Sequence, residues 1–552
     1  MPLHTLPRQG GRSSSQTNIM IESLAYARMF ARFPFALRRF LSETLTIERA
    51  RDIVRTRMEQ RESNFLRLVE RSVYGHPASP YLDLLNHARC ELGDLRALVM
   101  DKGLDAALTA LRADGVYVTF EELKGRKPIE RNGFSREVAA SDFDNPAARH
   151  DFTVHTGGST GLATLVGQDL DHIAAGAPMQ LLMLDAFGLL DVPTAHWNHI
   201  FPGTGFRFIL QRAYLRQFSE RWFSSLGWRD SRGWPKYDAA TLYMIFWARR
   251  CGLDFPFPEI VRLDEALVVA RWINETLKER GRCFLATNVS HAFRVCVAAR
   301  EAGLDLRGAT FRMGGEPVTP AKARIMEDSG IRIITGYGMV EISTIGLGCA
   351  NPLEAGDVHL ASDTLALITH PHRVEGTDVT VPAFQITTLS ESVPKLMLNV
   401  QVDDYGIVEQ RACGCALEAC GYSTHLREIR SYSKLLGEGV TLIGNEMVHI
   451  LEHVLPARFG GTPLDYQLSE EEDSEGLTRL YLVISPRVAI SRDDEVIEAL
   501  HAALRSSSPA AGVASTVWRQ AHTLRVKRAE PAWTARGKML PLHIQRSPQR
   551  HP

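Results

Sequence analysis

Short β-like runs alternate with amphipathic helices through the middle of the chain, and this alternation constrains the fold most strongly. Residues 153–155 and 332–335 have the composition of short strands. Apolar residues recur every three or four positions in a segment typical of an amphipathic helix: Leu263, Leu267, Ala270, Ile273 and Leu277. The alternation predicts an α/β core, in which loops at the strand ends carry the chemistry.

The length of the chain predicts more than one domain. It has 552 residues, whereas a single hydrophobic core stops growing at roughly 250–300 residues. Residues 1–20 are predicted to be a disordered leader. A large domain follows, with a helical front at 21–130 and an α/β core at 131–429. Residues 430–552 are predicted to form a small α+β domain, in which an acidic turn joins two strands.

Charge and hydropathy exclude two classes of partner. The 63 basic and 64 acidic residues are dispersed and leave a net charge of −1, so no cationic face for nucleic acid is expected. The apolar stretch at 179–190 contains an Asp and a Gly and is shorter than the ~20 residues that cross a bilayer. The N-terminus has no apolar signal region, so we expect a cytoplasmic location with no membrane partner.

A loop rich in glycine and hydroxyl side chains follows the first β-like run. Glycines let backbone amides approach an anionic oxygen, and hydroxyls add donors, so the loop is a candidate triphosphate cradle. It lacks the lysine of a Walker loop, and such a run by itself is more often a flexible surface loop. Its residues are His155, Thr156, Gly157, Gly158, Ser159, Thr160 and Gly161.

Two further segments carry residues suited to nucleotide chemistry. The segment RMGGEP at 312–317 has a Gly-Gly pair that permits close approach to a planar base. In the segment 331–341, Tyr337 can stack on that base and Glu341 can hold Mg²⁺. The alternative is a βαβ crossover with turn glycines and a solvated glutamate. Near the C-terminus, Lys538 in the loop TARGK can stabilise negative charge at a reacting phosphate, although a lysine there is ordinarily only solvated.

The order HTGGSTG, GGEP, GYGMVE, Asp403/Asp404, Arg430-Ser-Tyr-Ser and RGK resembles the acyl-adenylate-forming (AMP-dependent synthetase/ligase) superfamily. Within it, the chain most resembles the phenylacetate-CoA ligase-like family, from the helical front to Lys538. The resemblance implies a large adenylation domain and a small mobile lid domain. It also implies ATP and Mg²⁺ as cofactors, and activation of an aryl or other small carboxylic acid. The acceptor would be a thiol, with coenzyme A as the first choice, and the chain would tend to dimerise.

The resemblance also implies roles for the residues that bind ATP. The loop from Thr156 to Gly161 would bind the β- and γ-phosphates. Gly315, Glu316 and Pro317 would flank the adenine.

The other implied roles concern the adenylate, the metal and the hinge. Tyr337 and Gly338 would line the adenylate, and Glu341 would serve Mg²⁺. Asp403, slightly preferred over Asp404, would hold the ribose hydroxyls. The hinge would begin at Arg430, and the residue at 538 would be the adenylation lysine. Movement of the small domain would bring this lysine in for adenylation and remove it for thioester formation.

Two groups of cysteine and histidine predict a structural zinc site. Cys349 and His359 follow the GYGMVE segment, and a run of cysteines precedes the hinge. Zinc takes four sulfur or nitrogen ligands with short spacing inside each pair. Some phenylacetate-CoA ligase-like proteins are similar here. The predicted ligands are Cys349, His359, Cys413 and Cys415, with Cys420 as the alternative for one place. The competing interpretation is ordinary reduced thiols.

Several alternatives remain open from the sequence. In the second hypothesis, the activated acyl group passes to a carrier-protein thiol, an amine or another nucleophile of a biosynthetic pathway. A catalytically silent relative that only binds nucleotide or a partner is the third hypothesis. Trp197, Phe201 and Phe206 line an acid pocket in one interpretation and are ordinary core in the more frequent one.

Overall fold

A computed structural model describes most of the chain, and the structural statements that follow concern these residues: 13–155, 165–201, 203–228, 234–318, 320–373, 380–431, 435–437, 440–442, 447, 449–472, 478–507, 509–532 and 542–544.

The helical front packs its apolar residues into the core of the large domain. Phe33, Phe65 and Leu68 are buried there, as the three- and four-residue spacing of apolar positions predicts. Its elements are α1 (Ser13–Ser42), α2 (Ile47–Glu59), α3 (Arg61–Val69), α4 (Pro80–His87), α5 (Leu92–Lys102), α6 (Leu104–Ala113), α7 (Phe120–Leu123), β1 (Val118–Thr119), β2 (Ile129–Arg131) and β3 (Phe134–Arg136).

The first helix covers part of the segment that was predicted to be a disordered leader. α1 begins at Ser13, so the part of the predicted disordered segment from 13 to 20 is helical, and residues 1–12 lie outside the described chain. No glycine or proline occurs from 13 to 33. The helix can therefore propagate without a breaker through the region that was predicted to be disordered.

The predicted α/β core is confirmed as alternating helices and strands built around one large sheet. Its helices are α8 (Leu170–Ala186), α9 (Gly205–Tyr214), α10 (Trp234–Arg250), α11 (Ala266–Arg280), α12 (Val289–Glu301) and α13 (Pro320–Asp328). Its strands are β4 (Phe152–His155), β5 (Leu165–Gln168), β6 (Thr194–Trp197), β7 (Arg221–Ser224), β8 (Pro258–Ile260), β9 (Cys283–Asn288), β10 (Ala309–Gly314), β11 (Arg332–Met339), β12 (Ser343–Gly348), β13 (Val358–Leu360), β14 (Leu365–Arg373), β15 (Thr380–Thr388), β16 (Val400–Gln410) and β17 (Thr424–Ser431).

The large sheet has a parallel half and an antiparallel half. Its strand order is β14-β15-β16-β17-β13-β12-β11-β10-β9-β6-β7-β8, with β1 added beside β16. Strands from β11 to β8 in this order run parallel, and the others along the path pair antiparallel. The helices between successive parallel strands are the crossovers that such a half requires.

The C-terminal region forms a smaller α+β unit, as predicted. Two strands around the acidic turn form an antiparallel hairpin, and two further strands run parallel to its edges. The unit comprises β18 (Leu435–Gly437), β19 (Val440–Leu442), α14 (Leu455–Phe459), β20 (Tyr466–Glu472), β21 (Thr478–Ile484), α15 (Asp493–Ser507), α16 (Pro509–Gln520), β22 (Leu524–Arg528) and β23 (Leu542–Ile544).

The large sheet and the smaller C-terminal unit adjoin at the end of β17 and at the end of α16. Arg430 lies in β17 and pairs with Tyr405 of the large sheet, so the predicted boundary falls at the last residues of that strand. At the end of α16, the Gln520 Nε2 donates to the carbonyl of Ser225 at 3.1 Å.

None of the helices that the structure describes has the length and apolar character needed to cross a membrane.

Candidate functional site

The predicted nucleotide segments come together at the carboxyl edge of the parallel half of the sheet. β10 and β11 pair in parallel, so the segment after Gly314 and the segment around Tyr337 lie side by side. In α/β sheets of this kind, ligands bind in the crevice outside the carboxyl ends of the strands. The sequence placed its candidate adenine and adenylate residues on these neighbouring segments.

Close backbone contacts explain the glycines of this edge. A Cβ on Gly314 would lie 2.6 Å from the carbonyl oxygen of Gly336 in the next strand, which no larger residue allows. Gly315 adopts a φ of +82°, a conformation that disfavours residues with a side chain. A Cβ on Gly338 would lie 2.2 Å from the carbonyl oxygen of Ser343. These glycines are therefore required by the backbone, whatever they do for a ligand.

Glu316 points into the protein and ties its loop to α12. Its carboxylate accepts hydrogen bonds from the hydroxyl of Ser290 at 2.5 Å and from the Ser290 backbone at 3.2 Å. Lys322 lies 3.7 Å away, and the two charged side chains are 2% and 1% exposed. The predicted adenine contact at this position therefore does not extend to the carboxylate, whereas Pro317 is exposed.

Tyr337 is held by Asp404 rather than by Asp403. Its hydroxyl donates to Asp404 Oδ2 at 2.8 Å. Burial and the nearby Asp404 charge raise the Tyr337 pKa well above its usual value, so the phenol keeps its proton. Successive side chains of a strand point to opposite faces, and the charge of Asp403 acts on His372 instead. This hydrogen bond involves no ribose, so the choice between Asp403 and Asp404 at the ribose position stays a prediction.

Glu341 is buried against a lysine that the sequence did not single out. Glu341 and Lys124 form an ion pair, with side chains 4% and 5% exposed. Burial acts to raise the pKa of Glu341, but the charge and hydrogen bond of Lys124 outweigh it and hold the pKa below its usual value. The carboxylate is therefore ionised, as a magnesium ligand must be. Lys124 follows a short helix in the front and carries no motif that marks it.

The predicted triphosphate loop and the predicted adenylation lysine fall outside the described residues. Thr156 to Gly161 connect β4 and β5, which pair as an antiparallel hairpin. Gln168 donates to the carbonyl of Val340 at 3.5 Å. It pairs with Phe152 at the end of the hairpin away from the loop, so this contact places the hairpin itself next to the Glu341 segment. Lys538 is not described, and Arg430 is exposed near the end of its strand.

A compact group of metal-binding side chains lies in the antiparallel half of the sheet. Ligand atoms of Cys349, His359, Cys413 and His425 all lie within 4.8 Å of one another. The sulfur of Cys415 lies 3.1 Å from His359 Nε2. The histidines are fully buried on paired positions of β13 and β17. Sequence segments more than sixty residues apart therefore converge on one point.

Second partners orient both histidine rings toward this point. His359 Nδ1 lies 2.7 Å from the carbonyl of Tyr422, so it donates there and leaves Nε2 as the ligand atom facing the cysteines. His425 Nδ1 lies 2.7 Å from Asp357 Oδ1, while its Nε2 is buried with no hydrogen-bond partner among the described residues. A carboxylate–histidine pair of this kind is common behind metal ions.

The donor set fits zinc. Cys413 and Cys415 flank Gly414, whose φ is +72°, and this turn directs both cysteines to the cluster. The carboxylate of Glu418 accepts from the backbone amides of Cys413 at 2.7 Å and of Gly414 at 2.5 Å. Thiolate and imidazole donors in a buried group of this size suit tetrahedral zinc.

The structure changes the predicted ligand set in one respect. The four predicted ligands Cys349, His359, Cys413 and Cys415 lie together, and His425 joins them as a fifth donor that the sequence analysis missed. Its sequence signal was weak, since it lies ten residues from Cys415 in a strand. Cys420 is not in the group of donors found among the described residues.

The aromatic segment after β6 is core. Trp197, Phe201 and Phe206 are 0%, 5% and 0% exposed. The rings of Phe206 and Phe255 lie 5.0 Å apart, within a wider aromatic cluster. The more frequent of the two interpretations therefore holds for these three side chains.

A large mixed sheet with these loops at its carboxyl edge, followed by a small α+β domain, is the architecture of adenylate-forming enzymes. A crystal structure of 2-hydroxyisobutyryl-CoA ligase, in complex with 2-HIB-AMP and CoA in the thioesterification state, is similar over 89% of this chain and 90% of that chain, with 14% identity and a TM-score of 0.55. The fold class predicted from the sequence is confirmed by this similarity.

Two further solved structures share less of the arrangement. An acyl-CoA synthetase (AMP-forming)/AMP-acid ligase II-like protein from Dyadobacter fermentans is 16% identical, over 71% of this chain and 88% of that chain, with a TM-score of 0.28. Acetoacetyl-CoA synthetase from Streptomyces lividans is 14% identical, over 74% and 55%, with a TM-score of 0.33. No known family profile and no curated protein matches the chain.

Proposed function

We propose that this chain activates a carboxylic acid as its acyl-adenylate and then transfers the acyl group to a thiol. In the first step a carboxylate oxygen attacks the α-phosphorus of ATP and pyrophosphate leaves. In the second step a thiol attacks the acyl carbon, AMP leaves and the thiol loses its proton. The product is a thioester, and coenzyme A is the acceptor we propose first. Membership of the phenylacetate-CoA ligase-like family is part of the same proposal.

One observation carries the proposal: the segments of the adenylate-forming motif order meet in space. The Tyr337–Asp404 hydrogen bond joins two of those segments. The Gln168–Val340 contact joins the hairpin that carries the proposed phosphate loop to the segment that ends at Glu341. Motifs that only resembled a family by chance would have no reason to converge at one sheet edge.

The described residues have distinct proposed roles. Asp404, now preferred to Asp403, holds the ribose hydroxyls while it anchors the Tyr337 ring beside the adenine. Glu341 supplies the carboxylate for Mg²⁺, which neutralises phosphate charge when bound, and Lys124 keeps that carboxylate ionised in its buried position. Catalysis then consists of positioning and charge stabilisation.

The remaining proposed roles belong to residues of the phosphate loop and the lid. Thr156 to Gly161 cradle the β- and γ-phosphates, and Lys538 stabilises the charge that develops during attack on the α-phosphate. The hinge after Arg430 moves Lys538 away for the second step. Cys349, His359, Cys413, Cys415 and His425 are the donors that would hold zinc. The metal would join β13, β17 and the two loops that carry the cysteines, and it would take no part in the chemistry.

Acid-dependent ATP–pyrophosphate exchange tests the first step. We expect exchange with one class of acids from a panel of aryl and aliphatic acids, and a loss of at least about 100-fold in Lys538→Ala, since one stabilising group contributes about 10²–10³. Lys527→Ala is the matched control, because Lys527 pairs with Glu471 in the small domain. Exchange that survives Lys538→Ala would remove the lysine from the mechanism, and no exchange with any acid would favour a silent relative.

The thiol step needs its own measurement. Synthetic acyl-AMP and coenzyme A, supplied together, should give thioester and AMP in Lys538→Ala as well as in the parent chain, because the lysine serves only the first step. Loss of free thiol reports the reaction. Acyl-AMP that is consumed by a carrier-protein thiol or an amine but not by coenzyme A would replace the acceptor and keep the adenylation.

A further inference from the structure

Two adjoining cavities lie beside α8 and α9. One lies against the parallel strands β6, β9 and β10, and the other against the start of β12 and the loops around Asp363 and Ser390. The first is lined by polar and cationic side chains from α9, β6 and β10, including His196, Arg212 and Arg312. The second shares Gln211 with the first and is lined by Arg207. Both are therefore edged by arginine in a region whose other walls are mostly apolar.

Several nitrogen atoms of these side chains have no protein partner among the described residues. Arg207 and Arg212 are each 6% exposed and His196 is 2% exposed. Within the described chain, Nε of Arg207, Arg212 and Arg312, Nη1 of Arg212 and both ring nitrogens of His196 are buried without a hydrogen bond. Arg212 Nη2 donates to a neutral hydroxyl, Thr194 Oγ1, at 2.7 Å. Buried donors in native proteins are nearly always paired, so a group that pairs with them is missing.

Among the described residues, Asp191 and Asp363 are carboxylates near the cavities, and both are engaged elsewhere. The charge of Asp191 acts on Arg212, but Asp191 exchanges hydrogen bonds with Gln217 at the surface. Asp363 lines the second cavity and pairs with Arg57 at 3.2 Å. Neither supplies the counter-charge that the cavity arginines need.

The arginines also repel one another. Burial and the charge of Arg312 lower the pKa of Arg207 to about 10 and of Arg212 to about 9. Burial lowers the pKa of Arg312 to about 10. All three remain charged at neutral pH, and buried like charges without a counter-ion destabilise a protein. An anion bound among them would relieve both effects.

The arginine cluster adjoins the site proposed for the adenylate. Arg312 Nη2 lies 3.1 Å from the position that a Cβ on Gly336 would take. Gly336 directly precedes Tyr337 in the chain. Ile342 and Ser343, which follow the proposed magnesium carboxylate, line the second cavity. A small molecule whose reacting end lies at the adenylate would have its other end within reach of these guanidinium groups.

We propose that the acid activated by this chain carries a second anionic group, which binds among Arg207, Arg212 and Arg312. This proposal rests on the proposed adenylation and names the substrate class for it: a dicarboxylic, sulfo- or phosphono-carboxylic acid. The reacting carboxylate stays at the adenylate, and the second anion forms charge-assisted hydrogen bonds with the unpaired guanidinium groups. The first cavity holds about 20 Å³, about the room of one water, so Gln211 and the arginines rotate to admit the group.

Matched pairs of acids test the proposal through kcat/KM for ATP–pyrophosphate exchange. Each neutral acid is paired with analogues that carry a carboxylate, sulfonate or phosphonate at increasing distance from the reacting end. We expect the anionic member of at least one pair to be preferred by about 100-fold or more, since a site built to bind a polar group strongly rejects an analogue that lacks it. Which anion gives the largest preference identifies its chemistry.

Two arginine variants test whether these side chains cause the preference for anionic acids. Arg312→Met and Arg212→Met should each reduce the preference for the anionic acid by about tenfold or more, and they should raise the thermal midpoint of the ligand-free protein because each removes a buried unpaired charge. Arg131→Met is the matched control. Arg131 is a buried arginine paired with Glu122, so its replacement should lower the thermal midpoint and leave the acid preference unchanged.

Thermal shift by the acids alone separates the failure of this proposal from the failure of the proposed function. If no acid supports exchange, a shift given by an anionic acid in the parent chain and lost in Arg312→Met would still support the anion pocket. Neutral acids turned over as well as their anionic analogues would overturn the proposal while adenylation stands. An equal shift with sulfate alone would also overturn it, because the arginines would then bind an inorganic anion independently of the acid.

Discussion

Lys124 and Glu341 form the buried ion pair on which the proposed magnesium carboxylate depends, with side chains only 5% and 4% exposed. Replacement of Lys124 by Met leaves the carboxylate of Glu341 buried without a counter-charge, because this side chain has almost no contact with water. We expect Lys124→Met to lower the free energy of unfolding by about 3–5 kcal/mol. Chemical denaturation at pH 7 measures this loss.

A double-variant cycle separates the interaction between the two charges from the effect of each side chain alone. Lys124→Met with Glu341→Met removes both charges and should recover most of the lost stability, since a buried pair replaced by apolar groups of similar size is often neutral. Additive losses in the double variant would show that the two charges do not interact, which contradicts the ion pair.

The same pair predicts how stability depends on pH. The folded-state pKa of Glu341 lies below its ordinary value of 4.5, so its contribution is complete above that value and is lost as the pH falls through the lower folded-state pKa. In Lys124→Met the ion-pair partner is lost, so we expect burial to outweigh the backbone hydrogen bond and the charge of Lys395 and to raise the pKa of Glu341 instead. The difference in unfolding free energy between the parent and Lys124→Met should therefore narrow on acidification from pH 7 to pH 3. A constant difference would contradict this assignment.

Asp404 and Asp403 give a clean residue-level comparison. Asp404→Ala removes the carboxylate that accepts from Tyr337 and, in the proposed function, from the ribose hydroxyls. We expect the KM for ATP in the exchange reaction to rise by about ten- to a hundredfold, the effect of losing a hydrogen bond to a charged group. Asp403→Ala on the opposite face of β16 should change it by less than about threefold. The reverse order would restore the assignment first made from the sequence.

At the scale of elements, β12, β13, β16 and β17 bring the metal-binding side chains together. We expect the purified chain to contain zinc, and His425→Ala or Cys413→Ser to lose most of it. Asp357→Asn, which removes the carboxylate behind His425, should weaken zinc affinity by about 10–100-fold. Cys420→Ser is the control and should keep full zinc. Elemental analysis after exhaustive dialysis against a chelator measures each effect, and equal zinc in Cys413→Ser and Cys420→Ser would contradict the site.

Element-level prediction from the sequence worked where the periodic pattern is local. The helix through Ala270 and Ile273 is α11, and the two strands around the acidic turn pair as predicted. Prediction from the sequence failed for His425, whose neighbours are set by strand pairing. This histidine reaches the cysteines only because it pairs opposite His359 in the sheet. A histidine in a strand carries no local mark of such a neighbour.

At the scale of the whole molecule, motif order predicted the fold class, but not the surroundings of the site. Lys124 comes from the helical front, far in sequence from Glu341, and no pattern in either segment predicts their contact. The cavity arginines were not recognised either, because Arg207 and Arg212 come from α9 and Arg312 from β10. Only the folded structure shows that their Nε atoms lack partners among the described residues. Local spacing specifies elements, whereas charge compensation depends on tertiary contacts.

The fate of the carboxylate oxygen tests the central claim, activation through an acyl-adenylate, most directly. With an acid labelled by ¹⁸O in its carboxylate, ATP and the acceptor thiol, the account predicts AMP and pyrophosphate, with one ¹⁸O atom in the AMP phosphate, because the attacking oxygen stays on phosphorus when the thiol displaces AMP. Mass spectrometry of the AMP reads this outcome. Label in inorganic phosphate with ADP as co-product, or AMP without label, would contradict activation through an acyl-adenylate.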